Sequence, residues 1–229
     1  MNIGGFQKLT LTDFPGRVAA MIFTRGCNFA CPYCHNPELL DGKGGACSPG
    51  VILDYLRQRG QFLDGVVITG GEPTLQPDLF GFISRLKSMD LLVKLDTNGS
   101  NPHVLRGLLD QGLIDYVAMD IKAGWRNYGL VTGRPGAEAS CRKTMEIIRQ
   151  SGVEYEFRTT VYPAVNDAAD LAAIRSTILP GERYNLQEMR TGTCLDDRLN
   201  RKARETVEID VSALSAWKAR ETVELKIAG

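Results

Sequence analysis

The chain has 229 residues, 43% of them apolar and 24% charged, with 27 basic residues set against 27 acidic ones. That length suits one α/β domain or at most two small ones, and it buries roughly 70% of the surface of the unfolded chain, so a real core is expected. The charge balance lacks the basic excess of a nucleic-acid binder, and the apolar stretch "VAAMIF" (18–23), between Arg17 and Arg25, is too short for a secretory leader or a membrane span. The expected location is therefore cytoplasmic, where thiols stay reduced.

In chain order, strand and helix signals alternate. "RVAAMIFT" (17–24) is an apolar strand, and "VILDYLRQRG" (51–60) has helical spacing closed by a glycine. "GVVITGG" (65–71) is a strand running into glycines. "PDLFGFISRLKSM" (77–89) is a helix with proline at its start. A strand over "LLVKLDT" (91–97), a helix over "PHVLRGLLDQG" (102–112), a strand over "IDYVAMDIK" (114–122) and a helix over "AEASCRKTMEIIRQSG" (137–152) follow. "VEYEFRTTVYP" (153–163) is a strand stopped by Pro163, "DAADLAAIRSTI" (167–178) a helix and "RYNLQEM" (183–189) a strand. A helix over "VSALSAWKARE" (211–221) and a strand over "TVELKIA" (222–228) close the series. Five or six such pairs imply a parallel sheet with right-handed crossovers. A full eight-fold barrel takes about 250 residues, so the expected fold is α/β: a partial barrel of about six units or an open doubly wound sheet. Either places ligands at the carboxyl ends of the strands.

Directly after the first of these strands comes "RGCNFACPYCHNP" (25–37), with Cys27, Cys31 and Cys34 spaced C-x3-C-x2-C. Six cysteines in a reducing compartment, three of them bunched, point to metal rather than to disulfides. A structural zinc site wants four ligands, commonly in two pairs, and only Cys31 and Cys34 form such a pair. His35, beside Cys34, is poorly placed to join it. A fully ligated iron–sulfur electron carrier wants four thiolates, and Cys47 would have to supply the fourth. A cluster held by three thiolates, with one iron open to an outside ligand, fits the residues as they stand. Cys141 and Cys194 read as ordinary buried or half-buried thiols.

C-x3-C-x2-C with Tyr33 before the last cysteine resembles the signature of the radical S-adenosylmethionine (SAM) enzymes. "GGEPT" (70–74), "DTNGS" (96–100) and "MDIK" (119–122) resemble further landmarks of that family, each ending a strand. "GGFQKLTLTDFPG" ahead of the cysteines, "CHNPEL" and "KLDTNGSNP" resemble the glycyl-radical activating enzymes, in particular those of anaerobic ribonucleoside-triphosphate reductase. The resemblance covers roughly 1–190 and fades over 190–229; it implies a single radical SAM domain over 1–229, a partial (β/α)6-type barrel with its cluster loop at 25–37.

The resemblance implies a [4Fe–4S] cluster on Cys27, Cys31 and Cys34, with SAM chelating the open iron. Reductive cleavage would release a 5′-deoxyadenosyl radical that takes hydrogen from a glycine of a partner enzyme. The implied SAM contacts are Tyr33, Gly70, Gly71, Glu72, Asn98, Lys122, Arg158 and Gln187. Asp96, Thr97 and Asp120 would gather a monovalent cation; alternatively, Asp96 caps a loop and Asp120 pairs with Lys122. Arg158 also stands out on its own, because an arginine in the apolar strand "EFRTTV" must find a partner or face a cavity. The implied partners are the large subunit of the reductase and an electron donor such as flavodoxin or ferredoxin, with neither nucleic acid nor membrane. Pyruvate formate-lyase as partner, a small-molecule substrate, and a non-catalytic iron–sulfur or zinc protein stand as alternatives. The repeat of "KARETVE" at 202–208 and 218–224 is too short a series for a solenoid, and no function attaches to it.

Overall fold

In a computed structural model of the chain, residues 1–44, 47–190, 192–201 and 223–226 are described. In chain order the elements are β1 (Ile3–Thr10), β2 (Ala19–Thr24), α1 (Pro49–Arg59), β3 (Gly65–Gly70), α2 (Leu79–Lys87), β4 (Leu92–Thr97), α3 (Pro102–Asp110) and β5 (Tyr116–Asp120). They continue with α4 (Tyr128–Thr132), α5 (Ala137–Gln150), β6 (Glu154–Val161), α6 (Ala168–Arg175), β7 (Tyr184–Glu188), α7 (Asp197–Arg201) and β8 (Val223–Lys226). The chain falls into two compact units. The first takes Met1–Asn28, Glu38–Ala118 and Ser140–Tyr155; the second takes Phe29–Pro37, Met119–Ala139 and Glu156–Gly229. The chain of β5 passes from the first to the second.

Within the first unit, β2 pairs in parallel with β3 and β3 with β4, as strands joined by helical crossovers must. The apolar runs that read as strands are the core: Ile22, Val66, Val67, Ile68, Val93 and Leu95 are fully buried. One strand escapes the apolar-run criterion. β1, "IGGFQKLT", lies antiparallel on β2. Gln7, Lys8 and Leu9 are exposed while Ile3 and Thr10 at its ends are buried, and pairing with an already buried neighbour makes it a strand. Phe14, in the turn between β1 and β2, packs with Met21, Val67 and Tyr116.

Within the second unit, β6, β7 and β8 run parallel in that order, with Arg158 opposite Asn185 and Thr160 opposite Gln187. Asp170 on α6 is a buried anchor. It accepts from the backbone N–H of Gly124 (3.0 Å) and from the side-chain amides of Asn127 and Asn166 (2.8 Å each), fixing the loop after β5. The expected helix at 211–221 and the first "KARETVE" copy lie outside the described residues; the last two residues of the second copy open β8.

Candidate functional site

β2 delivers Gly26 and Cys27, and β3 ends beside them. The N–H of Gly71 donates to Thr24 O and that of Glu72 to Gly26 O, both at 2.8 Å. A Cβ on Gly71 would stand 2.2 Å from Gly26 O, and one on Gly70, where φ is 113°, 2.4 Å from Thr24 N. The two glycines therefore let the end of β3 close on the cysteine loop, backbone against backbone.

Glu72 is 0% exposed. Its Oε1 accepts from Thr74 N–H (3.1 Å), from the Thr74 hydroxyl and from the Thr97 hydroxyl (2.8 Å); its Oε2 accepts from Asn98 N–H (2.7 Å). Burial pushes its pKa up, and these donors pull it back. The carboxylate thus ties "GGEPT" to "DTNGS". Asn98 continues the network, its Nδ2 donating to Asn28 Oδ1 (3.0 Å) and to Cys27 Sγ (3.8 Å). From α5, Cys141 Sγ donates to Asn98 O (3.3 Å) and Thr144 Oγ1 to Gly99 O (2.6 Å), so Cys141 is a packed brace. Cys47 bridges to the edge of β1, its N–H donating to Ile3 O (3.2 Å).

In the second unit Cys31 and Tyr33 are buried and Cys34 is half-buried, and Cys34 N–H donates to Cys31 O (2.9 Å). Three backbone ties hold the rest of the loop: Ala30 N–H to Thr132 O (2.8 Å), Asp196 N–H to Pro32 O (2.9 Å) and Arg190 N–H to His35 Nε2 (3.0 Å). Tyr33 packs on Tyr162, with ring centroids 5.4 Å apart, and burial pushes its phenol up so that it stays protonated.

Asp120, at the carboxyl end of β5, lies 2.8 Å from Lys122 Nζ and 2.8 Å from Arg158 Nε. Burial alone would raise its pKa; Arg158 and then Lys122 more than offset that and hold it well below the usual carboxylate range. Against the same burial, Asp120 keeps Lys122 firmly charged. Arg158 NH1 is 4.0 Å from Glu156, whose Oε2 accepts from Asn185 Nδ2 (2.7 Å). Gln187 is half-buried on β7.

The expected cation ligands already have partners. Asp96 is 3.1 Å from Lys94 Nζ, Thr97 is bound to Glu72, and Asp120 is paired as above. Lys94, 2% exposed, also donates to Asp13 O (2.5 Å). Sequence reasoning missed it, although the signal that flagged Arg158, a lone cation in an apolar strand, is present in "LLVKLDT". Asn28, Thr74 and Asp170 carried no such signal.

Among the described residues no three His, Cys, Asp or Glu side chains converge on a single-ion site. A cubane makes no such demand, since each cysteine binds a different iron. Three cysteines on one loop are a soft donor set suited to an iron–sulfur cluster. No helix among the described residues is long and apolar enough to cross a membrane.

Residues 21–175 match the family model described as the radical SAM superfamily. A protein of Methanocaldococcus jannaschii whose name assigns it to the glycyl-radical enzyme activating enzymes is 36% identical over 87% of this chain and 84% of its own. The pyruvate formate-lyase-activating enzyme of Clostridium pasteurianum is 26% identical over 74% of this chain and 72% of its own. Among solved structures, Streptococcus suis SuiB bound to S-adenosylmethionine superposes with a TM-score of 0.62 at 14% identity, over 90% of this chain. Native anSMEcpe with bound AdoMet gives 0.55 at 18% identity, over 72%. This chain spans about half of each of those solved chains (49%), and the likeness identifies the fold as a partial (β/α)6-type barrel. The chain belongs to the radical SAM superfamily, whose enzymes work with a [4Fe–4S] cluster and SAM.

Proposed function

We propose that this protein is a glycyl-radical activase and that its partner is anaerobic ribonucleoside-triphosphate reductase. The observation that carries the reading is the 36% identity, over 87% of the chain, to a protein named as an activating enzyme of this kind. With cluster and SAM bound, one electron splits SAM into methionine and a 5′-deoxyadenosyl radical, which takes a hydrogen atom from a glycine Cα of the partner.

The chain's own residues hold and shield. Cys27, Cys31 and Cys34 would ligate the cluster, and the buried ring of Tyr33 would exclude water beside it. The end of β3, at Gly70, Gly71 and Glu72, would offer backbone oxygens to the SAM ammonium, since the Glu72 carboxylate is engaged by four donors inside the protein. Lys122 and Arg158 would share the SAM carboxylate with Asp120, and Gln187 would face the adenosine end. A monovalent cation at Asp96, Thr97 and Asp120 would have to compete with the partners those residues already hold. Flavodoxin or ferredoxin would supply the electron in the cytoplasm.

The test is anaerobic incubation of reconstituted protein with SAM, a reductant and the reductase, read by EPR. A glycyl doublet on the reductase supports the reading. A doublet only on pyruvate formate-lyase moves the partner, and SAM cleavage with no doublet on either protein overturns the activase assignment.

A further inference from the structure

We propose that Asn98 is a positioning residue that raises the reduction potential of the cluster by donating an N–H···S hydrogen bond to Cys27. The inference rests on Cys27 being a cluster ligand. Asn98 is 6% exposed, and its Nδ2 lies 3.8 Å from Cys27 Sγ, within hydrogen-bonding reach of sulfur. The amide is oriented from every side. Its Oδ1 accepts from Ser100 N–H (2.9 Å), which turns Nδ2 rather than Oδ1 toward the sulfur. The second proton of Nδ2 goes to Asn28 Oδ1 (3.0 Å). Its backbone is clamped by Glu72 Oε2 at N–H and by Cys141 Sγ at the carbonyl. Both amide protons are thus committed, leaving none to donate to a ribose or adenine.

A thiolate that ligates iron gains negative charge when its cluster takes an electron. A donor fixed on that sulfur stabilises the reduced form more than the oxidised form, so the potential rises. The rise makes the electron easier to accept from a protein donor. Neither the donor nor the sulfur need titrate for this to hold.

The experiment is an EPR-monitored redox titration of reconstituted protein, with iron content measured in parallel. Asn98→Ala removes the donor. Asn98→Ser keeps a short acceptor for Ser100 N–H but falls short of the sulfur. Ser100→Ala loosens the same loop and leaves the donor in place; its hydroxyl bonds the Asn28 side chain. Both Asn98 variants should move the midpoint to more negative values, by about threefold in the reduced-to-oxidised ratio, about 28 mV at 59 mV per tenfold; Ser100→Ala should not. Wild-type midpoints in both Asn98 variants overturn the inference. So does an equal shift in Ser100→Ala, or failure of both Asn98 variants to take up iron while Ser100→Ala loads normally, because each makes Asn98 a structural tie. Absence of a reducible cluster signal in the wild type is a different result, and it strikes the cluster reading itself.

Discussion

The two units hold their buried carboxylates by different physics. In the first, one buried carboxylate, Glu72, gathers uncharged donors: a backbone N–H, two threonine hydroxyls and the N–H of Asn98. In the second, one carboxylate, Asp120, is held between two cations, Lys122 and Arg158. Directional hydrogen bonds to a buried group fix an angle. A charge cluster fixes a balance that an incoming ionic ligand can redistribute. If the proposed function holds, the first device suits a unit that presents a turn of backbone and the second suits one that receives a charged cofactor end.

The largest expected effect ignores the contrast. Cys27→Ala in the first unit and Cys31→Ala in the second should both reduce 5′-deoxyadenosine formation from SAM to background, measured chromatographically after anaerobic reconstitution. Normal formation by either variant removes that cysteine from the ligand set. Next comes Asp120→Asn, which strands two mostly buried cations; loss of one member of such a group costs about 3 kcal/mol or more. Denaturant titration reads it, and a loss under about 1 kcal/mol would show that Glu156 or solvent takes over as counter-charge. Glu72→Gln exchanges one accepting oxygen for a donor and sets it against N–H or O–H groups. The expected cost is about 2 kcal/mol.

Acid should separate the two sites further. The folded pKa of Asp120 is depressed, so its contribution is present above the unfolded value, about 3.9, and is lost as pH falls below that. The folded pKa of Glu72 is raised, so its own contribution is fullest below the unfolded value, about 4.3, and declines as pH rises through the folded one. On acidification the deficit of Asp120→Asn should therefore shrink while that of Glu72→Gln grows. Deficits that move together with pH would mean that the two carboxylates are held alike.

Most of this frame was legible in the sequence, and the rest was hidden for identifiable reasons. Buried parallel strands announce themselves as apolar runs, and the cysteine loop announces itself by spacing. β1 does not, because its strand character comes from pairing with β2, and α4, "YGLVT", is too short to show a helical period. "GGEPT" and "DTNGS" could be read as site segments. That Glu72 would spend its carboxylate on Thr74, Thr97 and Asn98 could not be read, because no local rule links residues 25 apart. Arg158 was found by its mismatch with its strand, and Lys94 was open to the same test.

The smallest expected effect concerns how the second unit keeps its cysteine loop in place. Asn200, on α7, accepts from Gly192 N–H (3.2 Å) and Cys194 N–H (2.7 Å) and donates to Cys194 O (2.9 Å). One side chain thus shapes the segment whose flanks reach His35 and Pro32. Cys194, its thiol donating to Arg190 O (3.1 Å), is pushed up in pKa by burial and by Cys34 and Asp196, so it stays a thiol and packs there. Asn200→Ala should lower stability by only about 1 kcal/mol, the net worth of an uncharged hydrogen bond. The local opening should be plain: faster amide hydrogen exchange at Arg190, Gly192, Cys194 and Asp196, with the Asn98 amide of the first unit unchanged. If those four amides keep wild-type exchange rates, the loop is fastened by its backbone ties alone; if Asn98 speeds up as well, the two networks are not independent, and the contrast between them fails.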